Sequence, residues 1–155
     1  YPDEKLKKLG VEYEPIDQIF EQSQIISLHC PLTPETHHII DEEAISKMQK
    51  GVMIVNTSRG ALVDTTAVLA GLKSRKIGNL AIDVYEQEEA LFFQDLSGEI
   101  LEDEEITRLL TFPNVLITAH QSFFTHEALE QIATTTLQNV LDFENEAELV
   151  NEIKI

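Results

Sequence analysis

Four groups of chemically capable side chains recur along the sequence, each directly after a short apolar run. An arginine can hold an anion, and a histidine beside a carboxylate can donate or accept a proton near neutral pH. If the four groups meet in the fold, together they suit acid–base chemistry on an anionic substrate. Taken singly, each would more often be a solvated loop residue. The groups are His29-Cys30-Pro31, Thr57-Ser58-Arg59, Asp83 with Glu86 and Glu88, and Thr118-Ala119-His120.

The apolar runs are the strands that must position these side chains. Near-continuous apolar runs separated by helical patterns are typical of parallel strands buried on both faces. We therefore predict an α/β fold, a doubly wound parallel sheet with right-handed crossovers. Ligands of such sheets bind beyond the carboxyl ends of the strands, which is where the four groups lie. Buried strands are predicted at 25–30, 52–56, 78–84 and 115–118, and a half-buried strand at 11–14.

Helical periodicity predicts the elements between and after the strands. Asp41 and Asp64 are suited to cap two of the helices, and Gly51 ends the first of these. The acidic stretch 85–105 interrupts the alternation and is expected to be a surface excursion. Helices are predicted at 16–22, 41–49, 64–72, 106–110 and 125–143. The last is expected to turn an apolar stripe inward, formed by Leu129, Ile132, Ala133, Leu137, Val140 and Leu141.

Composition excludes several classes of function. The 155 residues carry a net charge of −17, which disfavours binding to nucleic acid or to anionic membrane surfaces. The sequence holds no apolar run near the roughly 20 residues that span a bilayer, and no signal peptide is recognised at its start. The single cysteine, Cys30, cannot form a disulfide within the chain. These features predict a soluble protein of the reducing cytoplasm.

The segments 27–36, 55–64, 81–86 and 117–120 resemble successive signatures of the D-isomer-specific 2-hydroxyacid dehydrogenases. The likeness extends from about residue 11 to about residue 140, and several ordered motifs are far more specific than a single one. Within the family, the segments 83–95 and 120–125 most resemble the fermentative D-lactate dehydrogenase branch. The resemblance implies an enzyme with NAD as cofactor that reversibly transfers hydride between NADH and pyruvate, giving D-lactate.

The resemblance also implies roles for individual residues. His120 would be the general acid and base, Glu88 would hydrogen-bond it and favour the imidazolium form, and Arg59 would hold the substrate carboxylate and polarise the ketone. Arg59, His120 and Phe123 would form the substrate pocket. Cys30 is expected to pack rather than react. Cofactor contacts would come from Cys30, Pro31, Thr36, Thr57, Ser58, Arg59 and Asp83.

Other functions stay open at this point. The same fold serves other D-2-hydroxyacid dehydrogenases, such as reductases of hydroxypyruvate or branched 2-ketoacids, and non-catalytic NAD-sensing proteins. A hydrolase triad of Ser58, Asp83 and His120 has the right chain order but lacks the Gly-x-Ser-x-Gly turn. No metal site is expected, because the adjacent His37 and His38 should diverge and have no ligand-spaced partners.

The sequence lacks a Gly-x-Gly-x-x-Gly turn, since no two of its six glycines are separated by one residue. In the family that turn lies upstream of the region resembling residue 1. We therefore expect a C-terminal part of a dehydrogenase that binds cofactor weakly alone. Residues 1–122 would be a partial NAD-binding domain, and 123–155 a helix and tail belonging to the substrate domain. By the same likeness, a homodimer through the cofactor domain is expected.

Overall fold

Four parallel strands form the centre of the computed structural model, which describes residues 2–93, 95–96 and 98–154. They are β1 (Ile25–Leu28), β2 (Val52–Asn56), β3 (Ile77–Ile82) and β4 (Val115–Ile117). Their order in the sheet is β1-β2-β3-β4, and every neighbouring pair is parallel. The predicted parallel α/β fold, Rossmann-like in architecture, is confirmed, and the carboxyl ends of all four strands share one edge.

The five predicted helices are present to within two residues or so at each end, and two short helices that the periodicity did not predict lie at Glu4–Lys8 and Glu88–Leu91. Asp41 accepts a hydrogen bond from the Ala44 N–H at 2.8 Å, and Asp64 accepts one from the Ala67 N–H at 3.0 Å, so both predicted caps are confirmed. A short 3₁₀ turn spans Gly60–Leu62. The helices are α1 (Glu4–Lys8), α2 (Ile16–Gln22), α3 (Glu42–Lys47), α4 (Thr65–Lys73), α5 (Glu88–Leu91), α6 (Glu104–Leu109) and α7 (His126–Glu144).

The core lies between the sheet and the helices that pack on it. Ile54 of β2 and Ile77 of β3 are almost completely buried, as are Leu62 and Leu109. Removal of such apolar side chains from water supplies the main driving force for folding. The two central strands thus hold the sheet edge, and the loops that follow it, on a rigid base.

Two expectations about strands are wrong. The segment 11–14 is not a strand: Val11 and Tyr13 are each 44% exposed, and among the described residues no strand lies beside β1 to pair with it. Burial on both faces also fails at the sheet edges, where Ile25 of β1 is 63% and Leu116 of β4 is 60% exposed. An apolar run in the sequence indicates that a strand is present. How far that strand is buried depends on which other elements cover its two faces, which the run does not show.

The chain forms two compact units, Tyr1–His120 and Gln121–Ile155. The first contains the whole sheet. In the second, Thr125 caps α7 by accepting from the Ala128 N–H, yet no residue of α7 is buried. Its predicted inward stripe is therefore exposed, because a unit of this size has too little partner surface to cover a helix face. None of the helices in the described part combines the length and apolar character needed to cross a membrane.

Candidate active site

Backbone hydrogen bonds join three strand ends at the carboxyl edge of the sheet. The Asp83 N–H donates to the Asn56 carbonyl at 2.9 Å, and the His120 N–H donates to the Asp83 carbonyl at 2.5 Å. These bonds extend the strand pairing past the ends of β2, β3 and β4. The segments that carry Arg59, Asp83 and His120 therefore leave the sheet side by side, as their positions in the sequence predict.

His120 and Glu88 lie within hydrogen-bond distance of each other at this edge. Nδ1 of His120 lies 3.2 Å from Oε1 of Glu88, and the Tyr85 N–H donates to Oε2 of the same carboxylate at 2.9 Å. The Glu88 side chain is 15% exposed and that of His120 is 35% exposed. A largely buried carboxylate held at one oxygen by a backbone N–H presents its other oxygen to the imidazole in a fixed direction.

The backbone at His120 adopts a conformation that side chains disfavour. Ala119 has φ of +50° and His120 has φ of +58°, both in the left-handed region. Such residues cost about 1 kcal/mol or more each and persist only where the surroundings hold them. Here the His120 N–H bond to Asp83 and the ring contact with Glu88 supply that restraint. The strain marks this turn as a functional candidate.

An aromatic ring that sequence reasoning assigned no site role lies beside the imidazole. The centroid of the Phe93 ring is 5.7 Å from that of His120, at an angle of 56° between the planes. The signal in the sequence was the apolar Leu91-Phe92-Phe93 run inside an acidic stretch. Residue 94, which belongs to the segment used for the D-lactate likeness, lies outside the described residues.

Arg59 is exposed on a loop whose backbone is tightly fixed. Nδ2 of the buried Asn56 donates to the Arg59 carbonyl at 2.9 Å, while Oδ1 of Asn56 accepts from the Ser58 N–H at 3.1 Å. The guanidinium itself donates to the Ser58 carbonyl at 2.7 Å. Asn56 is thus a positioning residue that sequence reasoning missed, although a buried amide at a strand end was a visible signal.

Gly60 sets the Arg59 loop against the turn that carries Glu88. A Cβ at Gly60 would lie 2.1 Å from the Tyr85 carbonyl carbon and 2.4 Å from the Glu86 nitrogen. Only glycine permits this approach of two backbones. The loop after β2 and the turn after β3 are therefore in direct contact, which brings the segments of Arg59 and Glu88 together.

An open cleft of about 650 Å³ lies at the ends of β1 and β2. The Ser58 hydroxyl donates to the Cys30 carbonyl at 2.7 Å and joins the two walls of the cleft. Its volume, and a lining that mixes apolar surface with hydrogen-bonding groups, are typical of a small-molecule or cofactor site. The lining residues are His29, Cys30, Pro31, Leu32, Ser58 and Arg59.

The remaining residues predicted to contact the cofactor differ in their burial and in their hydrogen bonds. Cys30 packs against the core, as expected. The Thr36 hydroxyl donates to the Pro31 carbonyl at 2.7 Å, which shapes the loop that borders the cleft. Thr57 is exposed, and the buried Asp83 accepts from the Thr118 hydroxyl at 2.5 Å.

Phe123, predicted for the substrate pocket, belongs to the second unit. Its ring packs edge-on against Phe124 with centroids 6.1 Å apart, and it is half exposed. Its part in a substrate pocket stays a prediction.

Tyr85 anchors the start of the acidic excursion. Its hydroxyl donates to Oδ2 of Asp103 at 2.8 Å, which ties the turn after β3 to the cap of α6. Burial, reinforced by the bond to Asp103, raises the pKa of the Tyr85 phenol above its ordinary value. The start of the turn that carries Glu88 is therefore tied to α6.

The hydrolase arrangement weighed from the sequence is disfavoured. In a Ser58–His120 dyad the serine would donate to the imidazole, but the Ser58 hydroxyl bonds the Cys30 carbonyl, and Nδ1 of His120 faces Glu88.

The expectation that His37 and His38 diverge is wrong, since their rings stack 3.9 Å apart. In the described part of the chain no three potential ligands gather in a way that would hold a metal ion.

Comparison with known proteins agrees with the parallel α/β fold. Residues 1–122 match the sequence model described as "D-isomer specific 2-hydroxyacid dehydrogenase, NAD binding domain". The predicted cofactor, NAD, is thereby confirmed at the level of the family.

Individual relatives align over nearly the whole chain. It is 50% identical to the D-lactate dehydrogenase of Escherichia coli K12 over 153 residues, which cover 99% of the chain and 46% of that enzyme.

Solved structures are similar as well. The pyruvate reductase of Chlamydomonas reinhardtii matches with a TM-score of 0.87 and 41% identity, over 97% of this chain and 46% of that one. The D-lactate dehydrogenase of Aquifex aeolicus, complexed with NAD and lactic acid, matches with a TM-score of 0.82 and 38% identity, over 94% and 44% of the chains. The chain spans somewhat less than half the length of the curated relatives that it matches.

Proposed function

Because this chain belongs to the D-isomer-specific 2-hydroxyacid dehydrogenase family, we propose that the intact protein is an NAD-dependent D-lactate dehydrogenase. It would reduce pyruvate to D-lactate and catalyse the reverse reaction. The observation that carries the proposal is the His120–Glu88 pair, with 3.2 Å between Nδ1 and Oε1, at the same sheet edge as the Arg59 loop. That combination supplies a proton donor and an anion-binding group for one small 2-ketoacid.

The cleft at the ends of β1 and β2 fits part of the cofactor. Its size suits a small molecule, and the Ser58–Cys30 bond fixes its walls. We assign cofactor contacts to Cys30, Pro31, Thr36, Thr57, Ser58, Arg59 and Asp83. When bound, NADH supplies the hydride that reduces C2 of the ketoacid.

Arg59 would bind and orient the substrate. Its planar guanidinium matches the two oxygens of a carboxylate, and the fork also reaches toward the adjacent ketone oxygen. The loop is preorganised by Asn56 and Gly60, so little order has to be gained on binding. Preorganised positive charge near the ketone oxygen stabilises the negative charge that develops there.

His120 would supply the proton. Glu88 contacts Nδ1, which assigns Nε2 to the substrate oxygen. As C2 is reduced, Nε2 gives its proton to the developing alkoxide. The His120 ring then remains beside the Glu88 carboxylate as neutral imidazole. In the oxidation of D-lactate, Nε2 takes the hydroxyl proton instead. Glu88 would keep the ring oriented in both directions and would stabilise the imidazolium form whenever the ring carries both protons.

We propose pyruvate as the substrate because of the names of similar proteins and the aromatic side chain beside His120. The Escherichia coli relative is named a D-lactate dehydrogenase, and the Chlamydomonas relative a pyruvate reductase. Phe93, whose ring lies beside that of His120, would wall a small apolar pocket for the methyl group. We also propose a cytoplasmic location, from the lone cysteine, and a homodimer through the cofactor domain.

A stereospecific assay of the intact protein tests the proposal. Pyruvate, oxaloacetate, hydroxypyruvate and 2-ketoisocaproate would each be offered with NADH and with NADPH, and the chirality of the product determined. We expect the highest kcat/KM with pyruvate and NADH, and D-lactate as product. Preference for hydroxypyruvate or the branched ketoacid would assign another activity of the family. Absence of turnover with retained NADH binding would favour a sensor.

A further inference from the structure

A second histidine–glutamate pair lies outside the residues that the proposed reaction uses. Nε2 of His38 and Oε1 of Glu86 are 2.6 Å apart, with side chains 33% and 24% exposed. The other carboxylate oxygen, Oε2 of Glu86, accepts from the Thr65 hydroxyl at 2.9 Å and from the Thr65 N–H at 3.2 Å. One partly buried carboxylate therefore ties together the loop after β1, the start of α4 and the turn after β3.

The histidine of this pair is itself held in place. His38 has φ of +52°, in the left-handed region, and its N–H donates to the Ala61 carbonyl at 2.9 Å. Two residues later, Ile40 pairs with Val63 in an isolated parallel bridge. His38 thus lies at the end of the loop that begins at Pro31 in the cleft wall, and it is locked to the segment that follows Arg59.

Glu86 and Glu88 belong to one turn and serve different partners. The Glu86 carboxylate meets His38 and Thr65, whereas the Glu88 carboxylate meets His120 and the Tyr85 N–H. The backbone at Glu86 is also packed against Gly60. Because only Gln87 separates the two glutamates in the chain, the anchoring of Glu86 determines where the backbone that carries Glu88 lies.

We propose that Glu86, held by His38 and Thr65, is a positioning residue that fixes the 85–88 turn so that Glu88 meets His120. The inference rests on the proposed function, since it treats His120 and Glu88 as the acid–base pair. It adds a coupling between the wall of the cofactor cleft and the catalytic carboxylate. Glu86 acts through Glu88 and has no contact with the reacting atoms in this assignment.

Loss of the anchor is expected to slow the chemical step more than it weakens substrate binding. A displacement of about 1 Å in a catalytic group can lower a rate by about 100-fold. The Arg59 loop, which binds the substrate in the proposed mechanism, keeps its separate support from Asn56. A purely structural role would lower stability without separating kcat from KM.

Substitutions of the anchor in the intact protein test this inference. We expect Glu86→Ala to lower kcat about 10-fold, with KM for pyruvate changed by less than about 2-fold. His38→Asn should do the same, because asparagine tolerates the left-handed backbone but does not reach Glu86. Glu86→Gln should recover activity to within about 3-fold of wild type, since its amide can accept from Thr65 and donate to a neutral imidazole. Glu89→Gln, an exposed change on the same turn, is the matched control and should have no effect.

A double-mutant cycle with Glu88 separates positioning from general damage. In a Glu88→Gln background, adding Glu86→Ala should lower kcat by less than about 2-fold, because the group through which Glu86 acts has gone. A loss of about 10-fold in both backgrounds, or no loss in the wild-type background, would overturn the proposal. If Glu86→Ala does not fold, His38→Asn carries the same cycle.

An NMR readout keeps this test distinct from that of the proposed function. The ring ¹⁵N shifts of His120 should move in Glu86→Ala in the same direction as in Glu88→Gln, and stay unchanged in Glu89→Gln. Unmoved shifts in Glu86→Ala would overturn the positioning role even in an active enzyme. Moved shifts in a protein that reduces no 2-ketoacid would support the positioning role while the proposed function fails.

Discussion

Oε1 of Glu88 lies 3.2 Å from Nδ1 of His120, and the two residues belong to the segments that follow the neighbouring strands β3 and β4. The carboxylate is the more buried partner and is fixed at its other oxygen by the Tyr85 N–H. The imidazole is the more exposed partner and faces the edge of the sheet where ligands of this architecture bind. The buried, fixed carboxylate is suited to orient the ring, and the more exposed imidazole is suited to donate a proton to a ligand.

The Glu88→Gln variant tests the orienting role. The amide keeps the size of the carboxylate but removes the charge that stabilises the imidazolium during proton transfer. We expect kcat for pyruvate reduction to fall by about 10- to 100-fold, with KM nearly unchanged. Steady-state kinetics of the intact protein provide the measurement, with Glu89→Gln as the control. Equal kcat in Glu88→Gln and wild type would show that the pair has no part in turnover.

The Arg59→Lys variant tests substrate binding. Lysine keeps the positive charge but offers no planar fork for two carboxylate oxygens, so we expect kcat/KM for pyruvate to drop by about 100-fold, a loss of about 3 kcal/mol. Arg108→Lys, on α6 where the guanidinium lies 5.5 Å from the Phe112 ring centroid, is a matched control and should leave kcat/KM unchanged. Wild-type kcat/KM in Arg59→Lys would contradict the assignment.

Gly60 offers a test of the packing that joins the Arg59 loop to the 85–88 turn. A methyl group there would lie 2.1 Å from a backbone carbon, so Gly60→Ala must displace one of the two segments. We expect the free energy of unfolding to fall by about 2 kcal/mol or more. Gly98→Ala, which meets no atom within 4 Å, should change it by less than about 0.5 kcal/mol. Urea denaturation measures both, and equal midpoints for the two variants would refute the close approach.

Tyr85 makes the free energy of unfolding depend on pH in the alkaline range. Its pKa is raised in the folded state by burial and by the bond to Asp103, so the neutral phenol stabilises the fold fully below about pH 10. Above that pH the unfolded chain ionises first and this stabilisation is progressively lost. Tyr85→Phe should be about 1 kcal/mol less stable at pH 8, through the lost hydrogen bond, but should lose less further stability between pH 9 and 11. Parallel curves for wild type and variant in urea titrations over that range would contradict the raised pKa.

The sequence predicts the elements of this fold better than their surroundings. Apolar runs and aspartate caps locate β2, α3 and α4 to within a few residues, because both signals are local. The exposure of Ile25 and the absence of a strand at 11–14 depend on which neighbours flank the sheet, which no local pattern reports.

The site divides in the same way. The residues Arg59, Glu88 and His120 follow from family motifs, and the structure brings Glu88 and His120 into contact. The supports of the site do not follow from motifs. The His38–Glu86 pair joins residues 48 positions apart, and the need for glycine at position 60 arises from an approach of two backbones that appears only in the folded chain.

Pyruvate reduction by the intact protein and its His120→Gln variant, with the chirality of the product determined, tests the central claim most directly. We expect D-lactate from NADH and pyruvate with wild type, and a kcat at least 100-fold lower in His120→Gln. His126→Gln, an exposed histidine of α7, should match wild type. L-lactate as product would contradict the proposed activity, and undiminished kcat in His120→Gln would contradict the role of His120 as proton donor.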